Sequence, residues 1–181
     1  SNLSTIDVVA ASIRVDFYDN GNRLLDTKFV SPCTRTLQVK KDSPFEAVAS
    51  KGVTANHVQT TVYPLTLGKK AVADLDVDED DITITTTDDE LHIEGTVDVG
   101  NDDLYAVHVC AALFDDDDNV LAVGSDTTSP ADIDEDESGT FDVSIDVSDI
   151  DVDDVDQYEL WVDALVHNPN DVTAPVIIGP N

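Results

Sequence analysis

"LFDDDDNVLAVGSDTTS", Leu113 to Ser129, and "FYDNGNRLLDTKFVSP", Phe17 to Pro32, are one phrase written twice. Each opens on a hydrophobic pair and an Asp, passes through a polar turn and returns as an apolar strand. Slid by 96 residues, the chain needs no gap: Tyr18 falls on Phe114, Asp19 on Asp115, Leu25 on Leu121, Leu37 on Ile133 and Phe45 on Phe141. A period this long denotes tandem domains, not a solenoid. The turn itself needs residues that tolerate left-handed geometry. Asn-Gly supplies this in the first copy, and the four aspartates at 115–118 supply it in the second.

Working outward, the local pattern is β. Leu91, Ile93, Val97 and Val99 alternate with polar residues, and Tyr105, Val107, Val109, Ala111 and Leu113 form a second alternating row. Tyr158, Leu160, Val162, Ala164 and Val166 form a third. Period two over such lengths means strands with one face in a core. Turn residues separate them at Gly100-Asn101, Asp115 to Asn119, Ser138-Gly139 and Asn168-Pro169. No amphipathic helix is expected beyond one short turn within 148–158. Short strands at this spacing predict an all-β chain of two tandem immunoglobulin-like β-sandwich domains. Domain 1 spans 1–73, an acidic linker 74–81, and domain 2 with a C-terminal tail 82–181.

The hydrophobic-Tyr/Phe-Asp signature stands as Val15-Asp16-Phe17-Tyr18-Asp19 and as Ala111-Ala112-Leu113-Phe114-Asp115. It resembles the FxLYD-type immunoglobulin-like domain, although neither copy has the leading Phe and the second has Phe where Tyr is usual. The resemblance implies a secreted or lipid-anchored surface protein of a prokaryote, with no catalytic residues to carry over. In an immunoglobulin-like sandwich, Tyr158 is expected as the core-facing tyrosine at the start of strand F that bonds back across the corner.

The net charge is −30, and it is uneven. All nine Lys and Arg lie between Arg14 and Lys70, among six acids, while residues 71–181 hold every other acid and no base. Asp greatly outnumbers Glu. This composition resembles that of proteins from extreme halophiles, in whose concentrated salt the Debye length falls to about 3 Å and self-repulsion is screened. Such a surface repels nucleic acid and anionic lipid. No apolar run is long enough to span a bilayer. No signal peptide stands at the start, and Met is absent from the sequence. The expectation is a fragment of an exported protein at the cell surface, held to the membrane by an anchor outside this chain. Asn2-Leu3-Ser4 fits a glycosylation acceptor.

In the second copy, the strands 82–87 and 91–99 precede the signature. Their counterparts in the first copy would precede Ser1, so domain 1 is expected to lack its first strands and to expose a sheet edge. That edge suits a homodimer contact, or the apolar tail 175–179 as a filler strand.

Catalysis is not expected: there is no GxSxG elbow, phosphate-cradling loop or HExxH. No cofactor is expected apart from a candidate calcium ion. Asp74, Asp76 and Asp78 have the spacing of the first EF-hand ligands, but Glu79 replaces the turning Gly and Thr85 the closing Glu, so an EF-hand is rejected. Interdomain acids and the loop tip Asp115, Asp116, Asp117 and Asp118 remain candidate calcium ligands. His108 and Cys110 share a strand face and, with His167, form a candidate zinc or copper set. Cys33 and Cys110 read first as two buried free thiols; a bond between them would tie the repeats together. His57 and His92 have no identifiable partners. Trp161 and Leu165, on the outward face of their strand, form a candidate patch for a protein or glycan partner, with burial under the other domain as the alternative.

Overall fold

The computed structural model describes residues 10–35, 42–65, 75–77, 81–87, 89–100 and 103–166. Ten strands run in chain order: β1 Ala10–Tyr18, β2 Leu24–Val30, β3 His57–Leu65, β4 Asp76–Val77, β5 Thr83–Thr86, β6 Glu90–Asp98, β7 Leu104–Phe114, β8 Val120–Thr127, β9 Ser138–Asp146 and β10 Gln157–Val166. A 3-10 turn, Val152–Asp154, lies inside the stretch where the sequence allows one. The protein is all-β, in three small antiparallel sheets.

The repeat is visible in the ladders. One sheet has the order β2-β1-β3 and another the order β8-β7-β10. Both slip register at the same place, between Phe17 and Tyr18 in one and between Leu113 and Phe114 in the other. The turns that follow match atom for atom. Asp19 Oδ1 accepts from the backbone N–H of Gly21 and Arg23, and Asp115 Oδ1 accepts from those of Asp117 and Asn119. Asn22 has φ 60° and Asp118 φ 61°. These are left-handed values that Asn and Asp tolerate better than other non-glycine residues. Four aspartates and Asn-Gly-Asn thus build one turn. Farther along, the offset lengthens by four residues: Tyr18 pairs with His57, whereas Phe114 pairs with Gln157.

In the second repeat, sheet β8-β7-β10 faces a sheet in which β6 pairs with β9 on one side and with β5 and β4 on the other. Leu91, Ile93 and Val97 meet Val107, Val109, Ala111, Leu113, Phe141, Val143 and Ile145 in one buried cluster, the inner layer of a sandwich. Leu75 and Val77 pack against this cluster, and Asp76–Val77 pairs with Val97 and Asp98, so this part of the stretch read as linker belongs to the second sheet. Gly124 lets β8 approach β9: a Cβ there would lie 2.5 Å from the Ser144 carbonyl oxygen and 2.7 Å from Ile145. Backbone cannot yield as a side-chain tip does. Gly124→Ala is therefore expected to destabilise by about 1–3 kcal/mol, measurable as a lower denaturant midpoint at unchanged slope.

Two inward assignments are corrected. Ala106 has φ 49°, and β7 pairs across a bulge between Asp163 and Leu165. The bulge resets the alternation, so Leu104 enters the core at 2% exposure and Tyr105 turns outward at 36%. Tyr158 keeps the inward parity of Leu160 but stands at the rim, 38% exposed, beside Leu75, Val77 and Ile82. It is not a buried corner tyrosine.

The first repeat is thinner. Ile13, Val15 and Phe17 are its buried core, partly covered by Val30, Phe45, Ala47, Ala49 and Ala55. It touches the second repeat through the loop after β2.

Candidate functional site: the junction between the repeats

On β7 the residues that alternate away from the core are His108, Cys110, Ala112 and Phe114. An outward face should be wet, yet Cys110 is 1% exposed and Ala112 is 0%. Facing them on β10 is Asp163, 5% exposed, and beside Cys110 in the ladder is Trp161. The cover is the loop after β2, which brings Cys33, Thr34 and Arg35 onto this face.

Cys33 and Cys110 form a disulfide with their Cα atoms 5.6 Å apart. This corrects the expectation of free thiols, and it removes the thiolate from the His108, Cys110 and His167 metal set. His167 lies outside the described residues. Ala112, two residues along the same face of β7, is a small and fully buried neighbour of Cys110.

Two residues on, Arg35 enters the β7/β10 bulge. Its Nε donates to Asp163 Oδ1 at 2.7 Å, its Nη2 donates to the carbonyls of Ala106 and Asp163, and its backbone N–H donates to Asp163 Oδ2. The guanidinium thus satisfies a buried carboxylate and donates to two backbone carbonyls beside the bulge. Only a planar fork presents donors in those directions at once. His108 sits alongside, and burial lowers its pKa, with the Arg35 charge acting in the same direction. A third contact lies farther out, where Glu46 Oε2 accepts from the Val123 N–H at 3.3 Å on β8.

The first repeat could not offer the same face. At the position matching Ala112 it carries Asp16, held by Arg14 Nε at 2.9 Å and Thr27 Oγ1 at 2.6 Å. The Thr27 hydroxyl is the larger cause of that carboxyl's depressed pKa. A charged triad there keeps the surface polar, whereas Ala112 leaves an apolar seat.

The acids proposed as calcium ligands are disposed as follows. Asp74 and Asp78 lie outside the described residues, and of Asp76 only the strand backbone is described. Asp115 spends its carboxylate on its own turn; the Asn119 side chain, then its backbone, lowers its pKa. Asp118 accepts from Gln157 Nε2 at 3.1 Å. Asp116 and Asp117 are exposed. Among the described residues no three His, Cys, Asp or Glu side chains converge as a metal would require. Trp161 is half-buried and tilted against Phe114 at 6.4 Å between ring centres. The Leu165 side chain lies outside the described set.

Both histidines left without partners by sequence reading have them. His57 stacks on Tyr18 at 5.1 Å. His92 Nδ1 lies 2.9 Å from Asp142 Oδ1, and its Nε2 lies 3.4 Å from Glu90. Ser144 stands opposite His92 in the ladder, and both ring nitrogens face carboxylates, Asp142 and Glu90. Asp142 chiefly raises the His92 pKa above 6.5. The resulting stabilisation is fully present below the unfolded pKa and is lost as pH rises through the folded one. Titration by NMR should place the His92 midpoint above that of an unfolded histidine, and Asp142→Asn should lower it.

Among the described residues no helix is long and apolar enough to cross a membrane. In comparison with protein families, curated proteins and solved structures, nothing matches this chain.

Proposed function

We propose that the chain is a non-catalytic structural or binding module of a halophilic surface protein: two tandem immunoglobulin-like domains of FxLYD type, exported and anchored through a segment outside this chain. The observation that carries this reading is the Cys33–Cys110 bond. Disulfides persist in oxidising, extracytoplasmic surroundings, and this one joins two copies of one sheet into a single unit, as a spacer or display module requires. The acidic surface supports a medium of concentrated salt. The partner class is a protein or glycan, with Trp161 and Leu165 as the candidate contact.

A calcium-dependent adhesion or spacer module is the second reading, favoured by the acids at 74–78 and 115–118. Thermal unfolding in about 2 M KCl, where charges are screened within about 3 Å, separates the two. A specific calcium site would raise stability by about 2.7 kcal/mol at a hundredfold excess over its dissociation constant, and chelator would reverse it. The structural reading expects no calcium-specific shift. A reversible shift would replace it with the calcium-dependent one.

A further inference from the structure

In the second repeat β9 lies over the core with Phe141, Val143 and Ile145 pointing inward, and β6 pairs along its free edge. The matching stretch of the first repeat is 43–49. Phe45, Ala47 and Ala49 hold the inward positions, and they pack on the cluster of Ile13, Val15 and Phe17. The anchoring bond is repeated too: Cys33 N–H donates to the Pro44 carbonyl at 2.8 Å, as Ser129 N–H donates to that of Thr140 at 2.7 Å. Yet 43–49 is not a strand, because among the described residues nothing pairs with its other edge.

The geometry fixes which groups wait there. Along an antiparallel strand the N–H and C=O of alternate residues point to opposite sides. Pro44 faces Cys33, so Phe45, Ala47 and Ala49 face the other side, and the proline's missing N–H does not interrupt that edge.

 The backbone N–H groups of Phe45, Ala47 and Ala49 therefore form the open row, and none has a backbone partner among the described residues. Beside this row, Val58 and Val62 share the inward face of β3 with Phe17 and Ile13, but are 54% and 57% exposed. Their counterparts Tyr158 and Val162 are faced by Leu75, Val77 and Ile82 of the second sheet.

We propose that the first repeat is a β-strand acceptor: the edge 43–49 takes an extended peptide strand carrying a glycine flanked, two residues away on each side, by branched aliphatic residues. The second repeat supplies the template. Gly95 pairs with Phe141, with Ile93 and Val97 on either side, and a Cβ on Gly95 would lie 2.7 Å from the Phe141 ring. Phe45 makes the same demand in the first repeat. Ala47 and Ala49, smaller than Val143 and Ile145, leave room for the incoming aliphatic side chains. An acidic strand like β6 also suits a repeat that holds all nine basic residues. The inference rests on the reading of two like domains and adds the chemistry of what one of them binds.

The test titrates the intact, disulfide-bonded chain into a labelled synthetic peptide of sequence ELHIEGTVDVG, in about 2 M KCl to screen non-specific charge. Saturable binding is expected, with slowed hydrogen exchange at the amides of Phe45, Ala47 and Ala49. A peptide with Gly95→Val should bind at least about tenfold more weakly. A chain with Phe45→Ala should accept a Gly95→Ala peptide that the original chain rejects. Absence of binding overturns the proposal, as does binding indifferent to the glycine, or protection confined to β9. Exchange in the free chain separates this from the underlying reading. If β1–β3 and their counterparts β7, β8 and β10 show matching protection patterns while the peptide fails to bind, the acceptor alone is overturned. If the patterns differ, the two-domain reading falls with it.

Discussion

Replacing Cys33 and Cys110 together by alanine is expected to lower stability by about 4 kcal/mol. The bond closes a loop across a sequence separation of 77 residues, and the loss of denatured-state entropy on closing a loop of that length is of this order. A second consequence follows from the unequal cores. The second repeat has its own sandwich cluster, whereas the core cluster of the first, among the described residues, holds three buried side chains. With the bond, the repeats should unfold in one transition. Without it, the first should unfold at lower denaturant than the second. Guanidinium would screen the acidic surface as well as denature, so urea in concentrated KCl is the better medium. Trp161 fluorescence would follow the second repeat, and hydrogen exchange at β1 would follow the first. Coincident transitions in the double variant, at an unchanged midpoint, would show that the bond adds nothing to the docking.

Arg35→Ala is expected to cost about 3 kcal/mol, the lower end of the range for removing one partner of a buried ion pair. The lower end applies because the Arg35 side chain is 39% exposed while that of Asp163 is 6% exposed. Truncation leaves a buried carboxylate without its charge partner and removes the guanidinium donor from two carbonyls at the bulge. Arg35→Lys should recover only part of the loss, since an ammonium cannot reach Asp163 and both carbonyls together. Replacing both members, Arg35→Met with Asp163→Leu, should cost less than Arg35→Ala alone, because no unpaired charge remains buried. A double-mutant cycle using Arg35→Ala and Asp163→Asn measures the coupling. Equal losses for the alanine and lysine variants would mean that the fork geometry is irrelevant. Because the Arg35 charge also lowers the His108 pKa, Arg35→Ala should raise the His108 titration midpoint, an independent readout by NMR.

Much of the fold is legible in particular residues. Leu91, Ile93 and Val97 alternate as written and all enter the core. The turn at Asp19 recurs at Asp115 because both need a carboxylate two and four residues before waiting N–H groups. The failures in alternation sit where tertiary contacts intervene. Tyr105 departs because Ala106 adopts a left-handed conformation that no local residue choice announces. The junction did leave one trace: Val109-Cys110-Ala111-Ala112-Leu113 is apolar on both faces, the pattern of a strand covered on both sides. Arg35 and Asp163 left none, being one base among nine and one acid among 39.

The sequence by itself determined the period, the strands and the turn chemistry, because these depend on neighbours a few residues apart and on the alternation of a pleated chain. Only the tertiary structure decided the rest. It brought Cys33 to Cys110 and Arg35 to Asp163, and among the described residues it left the edge at 43–49 unpaired where β9 has β6 beside it. Those outcomes depend on which faces meet across the chain. An apolar seat at Ala112 accepts a loop that the charged Asp16 position would refuse; the run 109–113 shows that this face is covered, but not which segment covers it.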